Sequence, residues 1–598
     1  MAIFNRFYDR YPNTDFSQIN LDWIIKKLAE HQIDIKNLQD EDVQAEVQAQ
    51  LQEWLDDGTL EDLINDQVLN DIFAELQREI GDLETATKTT KTWMCDIFSD
   101  MENITDLAAG DTVTTSGYYA VNDCGASLYK INSSSGIPIT GTSLYAVPVS
   151  ASALAWGLTG SAVETSLLQL AVTNSSRLDL ENLDIKIDGS ITLHNDFRME
   201  GNGAVVTVVN YTNLSDPVFI ADGCRNVIID GIKFDGGSQT VNYPMIRAAS
   251  STDLNIQNCA FVSGLGYRVN LGGSTRPSVK DCRFASVMGV VGDPGGGIYM
   301  QGGGSAHFEN IIGESLQDHI IYIDGSVETY RFDIDGIKGY NIGISALTNA
   351  AMVVIYGNAH DFTINSVIGR TVKTGVGIFE RDDVTPFRFT VTNCVIDASE
   401  IGIAVMATKP NIGAKVYGKV ANNVCYSSGQ DAFSFRFISS LTVLSNTIRG
   451  ANRYGIELTG CDHIMLNGNN AESCATAFAI GARDTEESVT SSYIYAYCNV
   501  AWSGITYGLT AGTTVTYLYL VANFFSGVTP TNAIKVGATG ACILEPTDGA
   551  MALRSIIFAG QAPTSGYHTA GDVALDWNGT SNGWRCTASG TPGTWTAR

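Results

Sequence analysis

The strongest pattern along the chain is a run of short apolar strands, each closed by an asparagine or an aspartate. Successive polar landmarks stand roughly 23 to 30 residues apart, the length of one coil made from three short strands and their turns. The landmark residues are Asp230, Asn258, Asp281, Asn310, Asp335, Asn365, Asn393, Asn423, Asn446, Asn469, Asn499 and Asn523. This repeat predicts a mainly β chain, folded as a right-handed parallel β-helix solenoid of about 12 coils.

A second landmark supports the repeat. A glycine followed by an apolar residue comes after the polar corner in most coils, at Gly297, Gly343, Gly375, Gly402 and Gly455. Asparagine and aspartate suit a repeated corner because their short side chains tolerate left-handed backbone and hydrogen-bond to nearby chain. We therefore expect stacked corners and a continuous core of inward-facing apolar residues.

The 12 cysteines occur singly, without a CxxC pair or a Cys/His spacing suited to zinc. Cys259, Cys282 and Cys394 each directly follow a landmark residue. This register predicts a buried ladder of small apolar side chains rather than redox or metal chemistry. We expect neither a metal nor a cofactor.

Residues 1–90 show a helical pattern, with apolar residues every three or four positions from Ile19 to about Glu84. A coiled-coil spacing is carried by Leu69, Phe73, Leu76, Ile80 and Leu83. The pattern predicts a helical segment for attachment and oligomerisation. An amphipathic helix packed on its own chain is the alternative.

Three further boundaries follow from composition. Residues 91–150, with a Gly-Tyr-Tyr strand and an Asn-Asp-x-Gly turn, predict a small β-rich domain. The β-helix is expected at 151–548, and a small C-terminal β-module at 549–598. In that module Trp577, Trp584 and Trp595 form either its core or a sugar-binding platform.

The charge excludes one class of partner. The 598 residues carry a formal net charge of -28, so phosphate backbones and anionic membrane surfaces would repel the chain. The N-terminus shows no signal peptide, and no apolar stretch reaches the roughly 18 residues of a membrane span. We expect no nucleic acid, no membrane insertion and no export by a signal peptide.

Three segments carry a resemblance to known families. FSQINLDWIIKKL and EWLDDGTLEDLIN resemble the front end of tail-fibre and appendage proteins from phages of Gram-positive hosts. LAWGLTGSAVETSLLQLAV and FRMEGNGAVVTVVN resemble the entry to the pectate-lyase-like β-helix superfamily, although Leu158–Ser161 lacks the acidic residues usual in that loop. GWRCTASGTPGTW resembles a terminal module of phage spikes and surface hydrolases. The resemblance implies a phage tailspike or tail fibre.

The active-site motifs of polygalacturonases are missing, because the chain has no Gly-His-Gly and only an isolated Arg381-Asp382-Asp383. Carboxyl groups one or two coils apart would nevertheless match the roughly 5 to 9.5 Å separations of glycoside hydrolysis. The predicted catalytic group is Asp318, His319, Asp324, Glu380 and Asp382, and the predicted substrate-binding residues are Tyr322, Arg381 and Trp502. Asp324, Glu380 and Glu457 are expected in one column, just after the inward apolar residues of the second landmark, and Asp431 at a corner comparable to that of Asp318. Taken singly, each of these acidic residues is more often a solvated turn or local hydrogen-bonding residue than a catalytic one.

Two functional hypotheses remain open from the sequence. The first is a virion appendage that binds and depolymerises a host surface glycan, such as capsule, wall polysaccharide or teichoic acid, as a hydrolase or lyase. The second is a non-enzymatic receptor-binding fibre or structural appendage. Either implies a homotrimer joined to tail or portal-proximal virion proteins through the N-terminal segment. Such a protein would be made in the host cytoplasm and act at the host cell surface.

Overall fold

The computed structural model describes residues 91–525 except 212–215, 238–242, 288–294, 344–349, 382, 408–414, 482–489, 503 and 513. Beyond these it describes 534–536, 542–545, 556–559, 562, 573–576, 583–588 and 593–597. The predicted helical segment 1–90, and with it the heptad residues, therefore lies outside the described residues. The same holds for Asp382 and Trp577. The chain divides into two compact units, Met1–Val149 and Ser150–Arg598.

The described part of the first unit is a five-stranded sheet. Its strands are Thr92–Cys95, Thr112–Thr115, Leu128–Asn132, Ile137–Pro138 and Tyr145–Pro148, with a 3-10 helix at Phe98–Asn103. The predicted Asn-Asp-x-Gly turn is organised by Asp123, whose carboxylate accepts the backbone N–H groups of Tyr118, Tyr119, Ala120 and Gly125. One side chain thus satisfies four backbone donors of a tight loop.

The second unit opens on a 3-10 helix at Ala153–Trp156 and an α-helix at Thr165–Asn174. The α-helix buries Leu168, Ala171 and Val172, as expected for a helix that covers the first coil. In the loop before it, Glu164 accepts the N–H of Thr159 at 2.8 Å and of Gly160 at 3.0 Å. This carboxylate supports a loop that lacks acidic residues of its own.

Three parallel sheets follow, here named A, B and C, and each strand pairs with strands one coil before and after it. Sheet A contains Arg177–Asp179, Arg198–Glu200, Ile228–Asp230, Asn255–Gln257, Ser278–Lys280, His307–Glu309, Asp333–Asp335, Phe387–Thr392, Lys415–Ala421, Ser439–Leu444, Asp462–Asn467, Ser491–Tyr497, Val515–Val521 and Cys542–Glu545. Sheet B contains Asp184–Ile187, Val205–Val208, Lys233–Asp235, Ala260–Val262, Arg283–Ala285, Ile312–Leu316, Lys338–Ile342, Val424–Ser428, Val500–Ala501 and Phe524–Phe525.

Sheet C contains Ile191–Thr192, Phe219–Ile220, Ile246–Arg247, Val269–Asn270, Ile298–Gly304, Ile321–Tyr330, Phe433–Arg436, Tyr507–Ala511 and Ile534–Val536. Five longer strands bend from one sheet into the next: Val353–Asn365, Ile368–Phe379, Val395–Met406, Thr447–Thr459 and Asn470–Ile480. Four last strands form a separate sheet: Ile556–Ala559, Val573–Asp576, Trp584–Ala588 and Thr594–Ala597. The predicted parallel β-helix is therefore confirmed, since every landmark from Asp230 to Asn523 closes a strand of sheet A.

The expectation that all landmarks occupy one corner position is wrong in detail. The left-handed residue is the landmark itself at Asn258, Asp281, Asn310 and Asn393. It is the following residue at Gly231, Gly336 and Ser366, and the preceding residue at Asn422, Ser445, Gly468, Cys498 and Ala522. The strand register aligns these left-handed residues from coil to coil. The left-handed turn is therefore at the same place in every coil. The polar landmark residue is the left-handed residue itself, the residue before it or the residue after it.

The last five landmarks face inward and form a buried asparagine ladder, defined by Asn423, Asn446, Asn469, Asn499 and Asn523. The Nδ2 of each donates to the Oδ1 of the next at 2.9 to 3.0 Å, and the first four are at most 1% exposed. Each Nδ2 also donates to a backbone carbonyl, and each Oδ1 also accepts a backbone N–H. In the three middle members, Asn446, Asn469 and Asn499, Nδ2 donates twice and Oδ1 accepts twice, so every hydrogen-bonding position of these amides is used.

In earlier coils the same inward position is apolar. Cys259, Cys282 and Cys394 occupy it and are free, buried thiols, which confirms the predicted ladder. Burial raises the pKa of the Cys394 thiol to about 12, so this thiol stays protonated and unreactive. Elsewhere the core contains stacked rings, such as Phe234, Phe261 and Phe284, whose centroids lie 5.1 and 4.9 Å apart.

Candidate functional site

Two predicted site residues, Tyr322 and Asp324, lie on the outer face of sheet C, where the structure shows their hydrogen-bond and ring contacts. On the strand Ile321–Tyr330, Ile321 and Ile323 point into the core and are fully buried, so Tyr322 and Asp324 point outward. Tyr299 is aligned with Tyr322 one coil earlier. Strand alternation thus places two phenol rings and a carboxylate on one surface.

Asp324 is held by three donors although it is only 4% exposed. Its Oδ1 lies 2.6 Å from Arg381 Nη1 and accepts the backbone N–H of Ser326 at 2.9 Å. Its Oδ2 accepts the hydroxyl of Tyr299 at 3.0 Å. One cation and two further donors thus satisfy the hydrogen-bonding needs of this buried carboxylate.

A row of aromatic rings follows the same face, here called the ring ladder. Its members are Tyr267, Tyr299, Tyr322, Tyr356 and Phe379, with neighbouring centroids 5.3 to 5.8 Å apart. Burial raises the pKa of Tyr299 and of Tyr322, and the nearby Asp324 carboxylate adds to both shifts. The phenols therefore remain neutral hydrogen-bonding groups at physiological pH.

Asp318 and His319 form a buried pair at the corner before this strand. His319 Nε2 lies 3.1 Å from Asp318 Oδ2, and His319 Nδ1 lies 2.8 Å from the carbonyl oxygen of Ala351. Both ring nitrogens therefore have partners, and the imidazole packs 5.3 Å from the Tyr322 ring. The Oδ1 of Asp318 is buried and has no hydrogen-bond partner. His319 thus orients the carboxyl group of Asp318 through Oδ2. The Oδ1 of Asp318 stays available as a hydrogen-bond acceptor.

The structure separates some residues that the sequence grouped. Glu380 is buried and lies two coils from Asp324, one residue further along its strand. Trp502 follows sheet B and is 44% exposed, seven coils beyond Tyr322, or about 34 Å along the axis at about 4.8 Å per coil. Asp324 and Tyr322 therefore share a surface with Arg381, and Trp502 belongs to another one.

Asp431 and Glu457 form a second polar cluster on sheet C. Arg453 forms a bidentate ion pair with Asp431, in which Nε lies 2.8 Å from Oδ1 and Nη2 binds Oδ2. Arg436 Nη2 lies 3.0 Å from Glu457 Oε2, which also accepts the hydroxyl of Ser434 at 2.6 Å. Both carboxylates are fully buried. Glu457 aligns with Tyr322 and not with Asp324, so the expectation that Asp324, Glu380 and Glu457 share one column is wrong.

The two carboxyl groups of this cluster have pKa shifts of opposite sign. Burial raises the pKa of Asp431, and the neighbouring Glu457 adds to the rise, outweighing Arg453. Burial also acts to raise the pKa of Glu457, but Arg436 and Ser434 outweigh it and the net shift is downward. Because both groups are shielded from solvent and paired with arginine, the cluster is built as a buried ion-pair network.

Metal binding has no support among the described residues, where no three or more His, Cys, Asp or Glu side chains converge as ligands. The described helices include none long and apolar enough to cross a membrane.

The ring ladder is the part of the site that sequence reasoning missed. Tyr322 was selected, but Tyr299, Tyr356 and Phe379 were not. The available signal was that each ring directly follows an inward apolar residue of a sheet C strand. Tyr299 lies in the column of Tyr322, whereas Tyr356 and Phe379 lie in the column of Asp324.

Comparison with known proteins gives one family match. The family described as "Periplasmic copper-binding protein (NosD)" matches residues 310–501, which is less than half of the chain. Among the described residues of that range, no three or more His, Cys, Asp or Glu side chains converge as metal ligands. No curated protein matches the sequence.

Phage tailspike proteins are among the solved structures with a similar fold. The tailspike of E. coli phage HK620, solved with a pentasaccharide, is 11% identical, with a TM-score of 0.43 over 65% of this chain and 78% of that one. The enzymatically active domain of phage CBA120 tailspike protein 2 is 12% identical, with a TM-score of 0.43 over 63% of this chain and 57% of that one. Pre-mature phage phi29 gene product 12 is 11% identical, with a TM-score of 0.48 over 69% and 60%. This chain thus spans less than two thirds of the latter two.

Proposed function

We propose that this protein is a phage tail appendage that binds a host cell-surface glycan on the outer face of sheet C. The observation that carries the proposal is the ion pair of Asp324 with Arg381 beside the ring ladder. Sugar rings have an apolar face and a polar rim, so they pack on aromatic side chains and hydrogen-bond to fixed charged groups. The ring ladder and the ion pair supply both kinds of contact on one surface.

The geometry of the binding residues is rigid. Asp324 is fixed by Tyr299, Ser326 and Arg381, which come from three different coils or loops of the solenoid. A site held by neighbouring parallel strands loses little conformational freedom when a ligand binds. Arg381 is 39% exposed and so presents its guanidinium to the surface where the glycan would lie.

The carboxyl groups that we propose for cleavage are Asp324 on this face and Asp318 in the buried corner before it. Asp324 acts as the ionised carboxylate, and Asp318, oriented by His319, acts as the second carboxyl group through its unused oxygen. Glu380 and Asp382 remain candidates for this second role. Glycoside hydrolysis needs one carboxyl group to donate a proton and one to act as base or nucleophile.

A non-enzymatic receptor-binding fibre is the alternative, and one observation favours it. Both oxygens of Asp324 are already occupied by protein donors, which suits a binding residue better than a nucleophile. A triple variant, Asp324→Asn with Glu380→Gln and Asp382→Asn, separates the hypotheses. Under the enzymatic hypothesis its turnover is lost, whereas under the binding hypothesis no turnover exists to lose.

The proposed assembly rests on the short heptad pattern and on the resemblance to phage tail appendages. We infer a homotrimer attached to tail or portal-proximal proteins by residues 1–90, made in the host cytoplasm and acting at the host surface as part of the virion. Sedimentation analysis of the full chain tests the stoichiometry, and a mass of one or two chains would contradict it.

The function is tested by incubating the full chain with purified capsule, wall polysaccharide and teichoic acid. We expect retention on one of these polymers and, for the enzyme, a shortened product on size-exclusion chromatography. Finding neither with any of the three polymers would refute the proposal.

A further inference from the structure

A second specialised surface lies on sheet A, far along the solenoid from the Asp324 site. It consists of the outward residues of three successive strands and is here called the tyrosine face. Its members are His463, Met465, Asn467, Tyr493, Tyr495, Tyr497, Tyr517, Tyr519 and Val521. The intervening inward residues, such as Ile494 and Leu518, are buried in the core.

The rings of the tyrosine face are stacked in register with the coils. Tyr493 lies between His463 and Tyr517, with centroid separations of 4.7 Å on both sides. Tyr495 and Tyr519 form a parallel stack, also 4.7 Å apart and tilted by only 8°. The ring spacing equals the coil spacing, so each stack presents a row of ring edges and phenol groups along the solenoid axis.

The hydroxyls in these rows have no partner within the described protein. Tyr493, Tyr495, Tyr517 and Tyr519 make ring contacts, and no hydrogen bond of their hydroxyls occurs among the described residues. Met465 and Tyr517 are 42% and 46% exposed. The face therefore offers four accessible hydroxyls that can each donate and accept a hydrogen bond.

The same columns are charged in earlier coils. Earlier coils of the column of Tyr493 and Tyr517 contain two ion pairs, Arg276 with Asp253 at 2.6 Å and Arg388 with Asp361 at 2.5 Å. In the tyrosine face the outward positions contain no Asp, Glu, Lys or Arg, although the chain carries a net charge of -28. Asp462 lies at its margin and is paired with His463 and with Ser492. Along the solenoid axis, the outward side chains thus change from charged to uncharged, while the backbone of the coils stays the same.

Two of the rings occupy an unfavourable backbone conformation. Tyr493 has φ 51° and Tyr517 has φ 54°, in the left-handed region that bulky residues rarely adopt. The solenoid imposes this turn in every coil, and asparagine, aspartate or serine satisfy it elsewhere at lower cost. Tyr493 and Tyr517 therefore place bulky rings on the outer face at a turn where smaller residues meet the backbone requirement.

We propose that the tyrosine face binds an extended, uncharged polysaccharide laid along the solenoid axis. Such a polymer repeats its hydroxyl groups at a spacing close to that of the coils, so successive sugars can meet successive phenols. A two-fold contact between copies of the chain fits less well, because it would pair two identical faces and bury the phenols against ring edges with few acceptors. The inference rests on the proposed glycan-binding function but concerns a separate surface.

The test is affinity electrophoresis of the full chain in gels that contain an uncharged polymer (hydroxyethyl cellulose, dextran or mannan) or anionic carboxymethyl cellulose. Wild type should be retarded by an uncharged polymer and not by the anionic one. The double variant Tyr493→Asn, Tyr517→Asn should weaken that retardation about tenfold. Asparagine tolerates the left-handed backbone, so the fold is retained. Tyr417→Asn, an exposed residue with φ 44° in the same column but outside the face, is the matched control and should behave as wild type.

The opposing outcomes are distinct. Retardation by no uncharged polymer, or equal retardation of the double variant, would overturn the inference. A lower sedimentation mass of the double variant would also overturn it, because the face would then join copies of the chain. If a host glycan binds wild type through Asp324 and the tyrosine variants leave that binding unchanged, this inference fails and the proposed function stands. If no glycan binds wild type at all, both fail.

Discussion

Arg381 Nη1 lies 2.6 Å from Asp324 Oδ1, although the two residues belong to different coils of the solenoid. Asp324 is 4% exposed, so Arg381 is the charge that makes this buried carboxylate tolerable. The ion pair also contacts the ring ladder, because the hydroxyl of Tyr299 donates to the other oxygen of Asp324. The ion pair therefore couples the stability of the site to its binding chemistry.

Replacing Arg381 with methionine should weaken glycan binding about tenfold, because an Arg contact to a polar ligand and the orientation of Asp324 are lost together. It should also lower the free energy of unfolding by about 1 to 3 kcal/mol, since the buried carboxylate loses its cation. Urea unfolding and affinity electrophoresis measure the two effects. Arg388→Met is the control, because Arg388 forms a similar but exposed pair with Asp361. If the two variants bind the glycan equally well, Arg381 does not contribute to glycan binding.

The asparagine ladder gives a prediction about the fold. In Asn469→Leu, the backbone N–H of Asn446 loses its acceptor, while the Nδ2 of Asn446 and the Oδ1 of Asn499 each lose one of two partners, all inside the core. Buried groups left unpaired cost about 1 to 3 kcal/mol each, so we expect a loss of roughly 2 to 5 kcal/mol in urea unfolding. Asn467→Ser, at the outward-facing end of the strand that precedes Asn469, should change stability by less than about 0.5 kcal/mol. A neutral Asn469→Leu would show that the ladder does not contribute to stability.

The repeat was predictable because a solenoid imposes the same local geometry in every coil, and each coil must supply a turn residue and inward apolar residues. Asp230 and Asn523 therefore mark the right strands. The position of a polar residue relative to the turn was not predictable, since glycine, serine, cysteine and alanine all serve as the left-handed residue in some coil. Only the three-dimensional register shows that Cys394 and Asn423 occupy the same inward column.

The site was only partly predictable for a related reason. Asp324 and Arg381 were chosen as charged residues near a landmark, and strand register brings them together. The register cannot be read from spacing when coils differ in length, so Trp502 and Tyr322 were grouped although they lie on different sheets. Tyr299 was missed because its importance comes from a hydrogen bond to the next coil.

The first unit should lose stability in acid through Asp123. Burial acts to raise the pKa of this carboxyl group, but four backbone N–H donors outweigh it and lower the pKa to about 2. A depressed folded pKa gives stability that is fully present above the unfolded pKa of about 3.9 and is lost as the pH falls towards about 2. We expect Asp123→Ala to cost roughly 1 to 2 kcal/mol at pH 7, after allowance for solvent screening. The cost should shrink in unfolding experiments at pH 2 to 3, and a cost independent of pH would contradict the assignment.

Trp502 provides a negative test of the site. It lies about 34 Å along the axis from Tyr322, on another sheet, so it cannot contact a sugar bound at Asp324. Trp502→Ala should leave the affinity for a short oligosaccharide unchanged, whereas Tyr322→Ala should reduce it about tenfold. Calorimetric titration with the oligosaccharide measures both. If Trp502→Ala loses affinity, the glycan binds near sheet B and not at Asp324.

The most direct test of the account is a structure of the full chain with an oligosaccharide released from the polymer that it retains. We predict sugar density over the rings of Tyr322 and Tyr356, with a hydroxyl within hydrogen-bond distance of Asp324 or Arg381. Density confined to another sheet, or a bound sugar that leaves the ring ladder uncovered, would contradict the claim that this face of the solenoid binds the glycan.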